Sequence, residues 1–395
     1  MNTHDELTRS LQQRADRIGG HPIDLESVRG RARTIQRRRR ITAGAVAAAV
    51  LAVAVPVGIS ATGGVLRTDN PLPPATQTPN PVPEGPVEAV GATAPRGADP
   101  AVPWMEGTVL HQPDGSTTDL GAAYQEVTPY DGGWAGVDPV EGTTSFLDAD
   151  GDVSTTFPGQ SLAVSADGES MAGVLTATSG NQDIGLYPVA GVGPGGYLSS
   201  VVSFDGTVDL AGFTGAQQVA YTLTSPRGES GAWVTDWAHE PERLPGLIKV
   251  WATSEVDGVV AGLTSVDEME PGSCSAVMAV ESRHVRWETC DYTLEAFSPD
   301  GRYVIGTDDY HDGIGGSTVA VLDATDGTVL VEYTTRDIGF TGSAVWEGPS
   351  TVLVTTHQDG TWYLLRLGLD GTVEQALDPE RAGELENPWR FGLRP

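Results

Sequence analysis

The sequence predicts an all-β protein built from repeated four-stranded antiparallel units and preceded by a single membrane-spanning helix. Eleven Asp-Gly pairs interrupt short runs of β-branched and aromatic residues after Trp104. These pairs recur at roughly regular intervals along the chain, which is typical of a repeat architecture. A long uncharged apolar segment lies closer to the N-terminus, and a segment of that kind is typical of a transmembrane helix.

Residues 1–40 are predicted to form a basic cytoplasmic stub with two short amphipathic helices. They contain ten Arg and five acidic residues, whereas the whole chain carries a net charge of −30. Apolar residues recur at helical spacing on both sides of the Gly19-Gly20 pair. We expect the stub to bind a cytosolic partner or anionic lipid, or only to retain its Arg cluster inside the cell.

Residues 41–62 are predicted to form the transmembrane helix. The segment from Ile41 to Ser60 supplies the ~20 apolar residues that cross a bilayer. Four arginines, Arg37 to Arg40, precede this segment, and only Arg67 follows it closely. The positive-inside rule therefore places the N-terminus in the cytoplasm and the C-terminal domain outside the plasma membrane. A cleaved export signal is the alternative, although no A-x-A pattern closes the apolar run.

Residues 63–104 are predicted to form an extracytoplasmic stalk. Ten prolines lie between Thr68 and Pro103, and no hydrophobic periodicity is present. This composition favours extended polyproline II structure and does not support a packed core.

Residues 105–395 are predicted to form a β-propeller. The clearest repeat runs from Leu294 to Thr334 and divides into four predicted strands. Less regular copies of this repeat begin at Ser161 and Ser200. Asp-Gly pairs favour type I′ hairpin turns between such strands. We expect six complete blades, with starts near residues 124, 161, 200, 247, 293 and 338. A seventh blade would combine Gly107 to Leu120 with Asn387 to Arg394 and close the ring; six blades is the alternative.

The run Phe297-Ser-Pro-Asp-Gly-Arg-Tyr303 resembles the signature of TolB-type, WD40-like (PD40) propeller repeats, and Val319 to Gly327 resembles the third strand and turn of the same repeat. This resemblance implies that the first motif forms the turn between a blade's first two strands. As a whole, the chain is similar to single-pass, propeller-bearing membrane proteins of high-GC Gram-positive bacteria.

Cys274 and Cys290 flank a predicted hairpin centred on Ser282. In that antiparallel register the two sulfur atoms face each other on neighbouring strands. Disulfides persist outside the cell, so we predict a disulfide bond, and two buried thiols are the alternative.

Two acidic clusters are weak candidates for a calcium or other metal site. The first resembles the start of a calcium loop, but Gly159 stands where the bidentate Glu is needed, which favours a plain hairpin turn. The second lies in a Gly-rich loop, where solvated acids are ordinary. We therefore expect no bound cofactor. The candidate residues are Asp148, Asp150 and Asp152 in the first cluster, and Asp308, Asp309, His311 and Asp312 in the second.

The sequence favours binding over catalysis. No GxSxG, HExxH, CxxC or Walker motif occurs, and the acidic body disfavours nucleic acid. The nine Trp are interpreted as core and inter-blade packing, and the single lysine, Lys249, as a consequence of genome composition. We predict a non-enzymatic binding or sensing module with an unknown extracytoplasmic partner. The alternative is a lactonase-like or metal-dependent propeller hydrolase with its site at the central channel.

Overall fold

A computed structural model describes residues 83–159, 161–176, 182–188, 198–267, 272–308, 316–335 and 339–392. All of them belong to one compact unit, Gln77–Pro395. The predicted stub, the transmembrane helix and residues 63–82 of the predicted stalk lie outside these ranges. Inside them, no helix has the length and apolar character needed to cross a membrane.

The described residues form 29 strands and one turn of 3-10 helix, Gly91–Thr93. The first sixteen strands are β1 (Val87–Glu88), β2 (Trp104–Glu106), β3 (Val109–His111), β4 (Thr117–Asp119), β5 (Glu126–Tyr130), β6 (Gly133–Asp138), β7 (Thr143–Leu147), β8 (Val153–Pro158), β9 (Leu162–Val164), β10 (Ser170–Thr176), β11 (Gln182–Pro188), β12 (Leu198–Phe204), β13 (Thr207–Gly215), β14 (Gln218–Thr224), β15 (Ser230–Thr235) and β16 (Glu242–Arg243). The remaining strands are β17 (Lys249–Ser254), β18 (Val259–Asp267), β19 (Gly272–Ala279), β20 (His284–Thr289), β21 (Tyr292–Phe297), β22 (Tyr303–Asp308), β23 (Thr318–Asp323), β24 (Val329–Thr334), β25 (Gly339–Trp346), β26 (Thr351–Gln358), β27 (Thr361–Gly368), β28 (Val373–Gln375) and β29 (Trp389–Phe391).

These strands assemble into a seven-bladed propeller. From β5 to β28, each four consecutive strands form one antiparallel blade, with the first strand innermost, and we number these blades 2 to 7. Blade 1 combines β2, β3 and β4 with β29, in the order β29-β2-β3-β4. Seven blades are therefore confirmed, and the six-blade alternative is wrong.

Blade 1 closes the ring through residues from both ends of the described chain. Trp104 pairs with Phe391 and Glu106 pairs with Trp389 in antiparallel register. This is the mixed blade that the sequence predicts. Closure of this kind leaves no long unpaired inner edge.

One predicted blade start is wrong. Blade 4 begins at Thr207 and not near residue 200, because residues 198–204 form β12, the outermost strand of blade 3. The Asp205-Gly206 turn therefore connects two blades and does not join the first two strands of one blade. The other five innermost strands begin within two residues of their predicted starts.

The core consists of seven apolar clusters, and each cluster lies between two neighbouring blades. Between blades 1 and 2, for example, Met105 and Leu110 pack with Val127 and Leu147. Equivalent clusters fill the other six interfaces, including the one between blades 7 and 1. Alternation along the strands supplies side chains to both faces of each blade, so every blade contributes to two clusters.

Cys274 and Cys290 form a disulfide bond in blade 5, with their Cα atoms 4.0 Å apart. The predicted register holds beside the bond, where Ser275 pairs with Thr289. A β-bulge after Val277 then shifts the remaining pairs by one residue. The predicted bond is present. The predicted register is correct only for the half of the hairpin next to the bond.

Residues 83–103, which we call the strap, lie against the propeller. They belong to the segment 63–104 that was predicted to be an extended stalk. Strand β1 pairs in parallel with β24, the outermost strand of blade 6. The buried Gln358 amide accepts a hydrogen bond from Gly91 N (2.9 Å) and donates one to Ala89 O (2.8 Å). The strap is therefore held largely through its backbone, which explains why its sequence has no hydrophobic periodicity.

Candidate binding site at the mouth of the central channel

The turns that join the innermost strand of a blade to its second strand are called the inner turns. In blade 6, Ser298 Oγ donates to Asp300 Oδ1 (2.7 Å), and Tyr303 N donates to Ser298 Oγ (3.0 Å). Blade 3 repeats the first contact, where Ser165 Oγ donates to Asp167 Oδ1 (2.6 Å). The Ser-x-Asp-Gly motif thus forms the turn that its resemblance implies.

The predicted type I′ geometry holds for only two of the described Asp-Gly pairs. Asp131 and Asp359 have positive φ angles of 45° and 49°, as do the glycines that follow them. In the other described pairs only the glycine has a positive φ angle. Several of those Asp carboxylates accept a backbone N–H two residues ahead, as Asp114 does from Ser116 (2.9 Å), which is typical of an Asx-turn.

A cavity of about 310 Å³, here called the channel cavity, lies where the innermost strands end. The last residues of β9, β17, β21 and β25 line it, with the inner turns that follow them and the middle of β13. These strands therefore run in the same direction and end at one mouth of the channel. The lining is mainly apolar, with hydroxyl groups from Thr253, Ser254 and Ser298.

Glu255 is the one ionisable side chain among the described residues that line the channel cavity. It lies in the inner turn of blade 5, where two residues separate Ser254 from Asp257 and the Ser-x-Asp-Gly turns have one residue at that place. Its Oε2 accepts a hydrogen bond from Ala166 N in blade 3 (2.7 Å). Because blade 4 separates these two blades, the Glu255 side chain reaches across part of the mouth. Oε1 takes no hydrogen bond within the described ranges.

Further carboxylates surround this mouth. Hydrogen bonds from Ser165 and the Glu169 backbone hold the pKa of Asp167 below its ordinary value, so this rim carboxyl stays charged. Gly301 comes so close to the neighbouring turn that a Cβ atom there would lie 2.9 Å from Ser254 Oγ and 3.0 Å from Asp257 Oδ2. The inner turns of blades 5 and 6 therefore bring two acidic turns together at the rim.

The first predicted metal cluster forms the turn between β7 and β8. Asp148 Oδ1 accepts hydrogen bonds from the backbone N–H groups of Asp150 and Asp152, both at 3.0 Å. Gly151 supplies the positive φ angle of 89°. This carboxylate oxygen is already used within the turn, as expected for a plain hairpin.

The second predicted cluster lies mostly outside the described ranges, where Asp309, His311 and Asp312 fall. Asp308 ends β22, and its Oδ2 accepts a hydrogen bond from Ser317 N (2.5 Å). Among the residues that the structure describes, no three His, Cys, Asp or Glu side chains are grouped so that they could hold a metal ion.

Comparisons with known proteins place the fold. No family model matches the chain, and no curated protein matches it. Solved propellers do match. A TolB-type protein from Agrobacterium tumefaciens is 14% identical, covering 59% of this chain and 87% of its own, with a TM-score of 0.38. TolB from Acinetobacter baumannii is 16% identical, covering 66% of this chain and 64% of its own, with a TM-score of 0.40.

The C-terminal WD40 domain of Sif2 is also similar, at 10% identity, covering 66% of this chain and 91% of that domain, with a TM-score of 0.38. The predicted resemblance to TolB-type and WD40-like propellers is confirmed. It concerns the fold alone, and the number of blades follows from the strand pairing of this chain.

In this TolB-like propeller the strap forms one wall of the channel cavity through Val102. An ion pair between Arg366 and Glu347, whose side chains are 14% and 6% exposed, fixes the strap just before that residue. Arg366 Nη1 donates to Ala98 O (3.0 Å), and Glu347 Oε1 accepts from Ala101 N (2.8 Å). Both members of the ion pair therefore bind backbone groups of the strap, and in this way they position the wall of the channel cavity.

A second unusual carboxyl group lies at the beginning of the innermost strand of blade 2. Burial raises the pKa of Glu126 to about 7. The hydrogen bond from the Leu162 N–H lowers this pKa, and the negative charge on Asp209 raises it further. Glu126 Oε2 accepts the hydrogen bond from Leu162 N at 2.8 Å. Its protonation therefore changes near neutral pH at a blade interface.

The interpretation of the Trp side chains as packing holds with one exception. Five of them are buried: Trp104, Trp134, Trp346, Trp362 and Trp389. Others donate between blades, as Trp287 Nε1 does to Ala324 O (2.9 Å). Trp251, on an innermost strand, is 40% exposed.

Sequence reasoning missed Glu255, Glu126 and Val102. An alignment of the inner turns would have shown that Glu255 and Val256 separate Ser254 from Asp257, where the Ser-x-Asp-Gly turns have one residue. No comparable signal marks Glu126, whose burial depends on the neighbouring blade, or Val102, which lies in a Pro-rich segment without periodicity.

Proposed function

We propose that the chain is a non-enzymatic binding module, held outside the plasma membrane by the apolar segment from Ile41 to Ser60. We further propose that the channel cavity binds an apolar group that carries a positive charge. The observation that carries this proposal is Glu255. Its carboxylate has one oxygen without a partner in the described ranges, in a cavity otherwise lined by apolar and hydroxyl side chains.

The size of the cavity supports a small occupant. A volume of about 310 Å³ lies at the lower end of the ~300–1,000 Å³ range of ligand pockets. Such a space accepts one aromatic or branched aliphatic group, either from a small molecule or from the side chain of a partner protein. Burial of apolar surface would contribute ~25 cal/mol per Å².

The charge distribution supports a cationic occupant. The described residues lining the cavity include no Lys or Arg, and the inner turns around it carry Asp167 and Asp257. The net charge of −30 attracts cations at long range and repels anions. A charge-assisted hydrogen bond to Glu255 would contribute ~1.5–3 kcal/mol, which corresponds to about 10- to 100-fold in affinity.

A matched pair of probes tests the cavity. Ligand-observed NMR measures the affinity of the full-length chain for 2-phenylethylammonium and for 2-phenylethanol, which has a similar shape and no charge. We expect the cation to bind at least ~10-fold more tightly. Glu255→Gln keeps an acceptor for Ala166 N and should remove the difference. Glu169→Gln, on an exposed inner turn outside the cavity, is the matched control.

Equal affinity for the two probes, or a preference that persists in Glu255→Gln, would contradict the cavity proposal. Turnover of an ester or lactone by the purified chain would contradict the non-enzymatic part and favour the hydrolase.

The extracytoplasmic location has its own test. The apolar segment and its flanking arginines support it, and the Cys274–Cys290 disulfide is typical of oxidising compartments. Protease treatment of intact cells should remove the propeller and leave residues 1–40 protected, in contact with a cytosolic partner or anionic lipid. Digestion of the propeller only after lysis would refute this location.

A further inference from the structure

Four neighbouring innermost strands share a backbone irregularity that the other innermost strands lack in their described residues. Strand β13 has two such irregularities, at Ala211 and at Thr214. At the first of them, and at one position each in β17 and β21, one extra residue interrupts the pairing with the second strand of the blade, and in β25 two residues oppose one. We call these residues the bulge belt; they are Ala211, Trp251, Glu295, Gly342 and Ser343. They lie two to four residues before each strand ends, and therefore at about the same depth in the channel. A β-bulge re-aims side chains and is common at functional sites.

Trp251 is the large member of the bulge belt. Its neighbours Val250 and Ala252 are buried and pair with Gly262 and Ala261 of β18, whereas Trp251 has no partner there. Val250 packs against blade 4 and Ala252 against blade 6, so both faces of β17 are covered at this point. Because β17 is the innermost strand, we infer that the exposed indole is directed to the channel. An exposed indole on an innermost strand is a platform on which a flat group can stack.

Lys249 lies beside this platform. Its Nζ is 3.7 Å from the centroid of the Trp251 ring. It is the only lysine in a chain with 53 acidic residues, yet it has no carboxylate partner within 4 Å among the residues described. An ammonium group placed on an indole and without a carboxylate can pair with an incoming anion.

We propose that Lys249 and Trp251 form a second binding site in the channel, for an organic carboxylate with a flat apolar or aromatic body. The body stacks on the free surface of the Trp251 ring, and the carboxylate pairs with the Lys249 ammonium. The channel cavity carries a carboxylate and selects the opposite charge, so this site is independent of the function proposed for Glu255. Its residues do not line the channel cavity.

The single lysine allows a direct test. The full-length chain has two kinds of primary amine, its N-terminus and Lys249. It is treated with a limiting amount of an amine-acetylating ester, and mass spectrometry measures acetylation at each position. With phenylacetate at ten times its Kd, acetylation of Lys249 should slow ~10-fold, and acetylation of the N-terminus should not change. 2-Phenylethanol, which lacks the carboxylate, should protect Lys249 much less.

Two variants identify the stacking surface. Trp251→Leu retains Lys249 and should lose most of the protection by phenylacetate, whereas Trp251→Phe retains an aromatic ring and should keep part of it. Circular dichroism checks that both variants fold. Glu169→Gln should be protected like the wild type. The proposal is overturned if phenylacetate slows both amines equally or neither, if 2-phenylethanol protects equally, or if Trp251→Leu keeps full protection.

Discussion

Glu126→Gln should stabilise the protein at alkaline pH and leave its stability unchanged at acidic pH. Burial and the nearby Asp209 charge raise the pKa of Glu126 from 4.5 to about 7 in the folded chain. Well below pH 4.5 the carboxyl is neutral in both the folded and the unfolded chain, and its burial carries no ionisation penalty. Between pH 4.5 and 7 the unfolded chain loses the proton first, so the folded state loses stability progressively as pH rises.

The size of the effect follows from the two pKa values. The difference between 4.5 and about 7 corresponds to roughly 3 kcal/mol once both states are ionised, above pH 7. Gln is neutral at every pH and keeps a carbonyl oxygen for the Leu162 N–H, whose bond to Glu126 is 2.8 Å long. The substitution therefore removes the ionisation penalty and preserves the contact between blades 2 and 3.

Urea unfolding at pH 4, 6 and 8, followed by Trp fluorescence, measures the difference between Glu126→Gln and the wild type. We expect no difference at pH 4 and a gain of roughly 3 kcal/mol at pH 8. Glu169→Gln controls for the loss of one negative charge. A gain at pH 8 no larger than that at pH 4 would refute the assigned burial of this carboxyl group.

Three further substitutions test other parts of the fold. Gln358→Leu should leave Ala89 O and the Gly91 N–H unsatisfied, lower the free energy of unfolding in urea by ~2–4 kcal/mol and speed proteolysis of the strap. An unchanged urea midpoint would contradict a stabilising role for these two hydrogen bonds. Gly301→Ala should lower Tm more than Gly228→Ala. Both glycines have positive φ angles, but only an alanine at position 301 would place its Cβ against a neighbouring turn. Equal decreases in Tm would show that this close approach does not affect stability. Removal of the disulfide by paired Cys→Ala substitution should cost ~3 kcal/mol for a loop of this size, measured under non-reducing conditions.

The repeat pattern was sufficient to predict the propeller. Asp-Gly turns and four-strand spacing depend on local sequence, and the mixed blade followed from counting the residues left over at both ends. The misplaced start of blade 4 has a physical cause. Asp205-Gly206 has the same local chemistry as an inner turn, and only the pairing of 198–204 with β11 distinguishes them.

The candidate sites were much less predictable than the fold. Glu126 acquires its environment from neighbouring blades, so no local pattern marks it. Glu255 is marked only by the spacing of its turn motif, and its contact with Ala166 comes from another blade. The exposure of Trp251 accompanies a β-bulge that no sequence pattern indicates. The disulfide was predictable because both cysteines belong to one hairpin. The strap was not, since its contacts are made by the backbone and by side chains such as Gln358 that belong to a distant part of the chain.

Blade 1 also determines the order in which the molecule can be completed. Its innermost strand is Trp389–Phe391, and the other three strands of the blade, which are synthesised much earlier, begin at Trp104. The ring cannot shut until residue 391 has been synthesised, and an early β2 presents an open edge throughout that time. Since joining such distant segments is slow, this edge is exposed to aggregation for longer than the edges of the blades that form from consecutive strands.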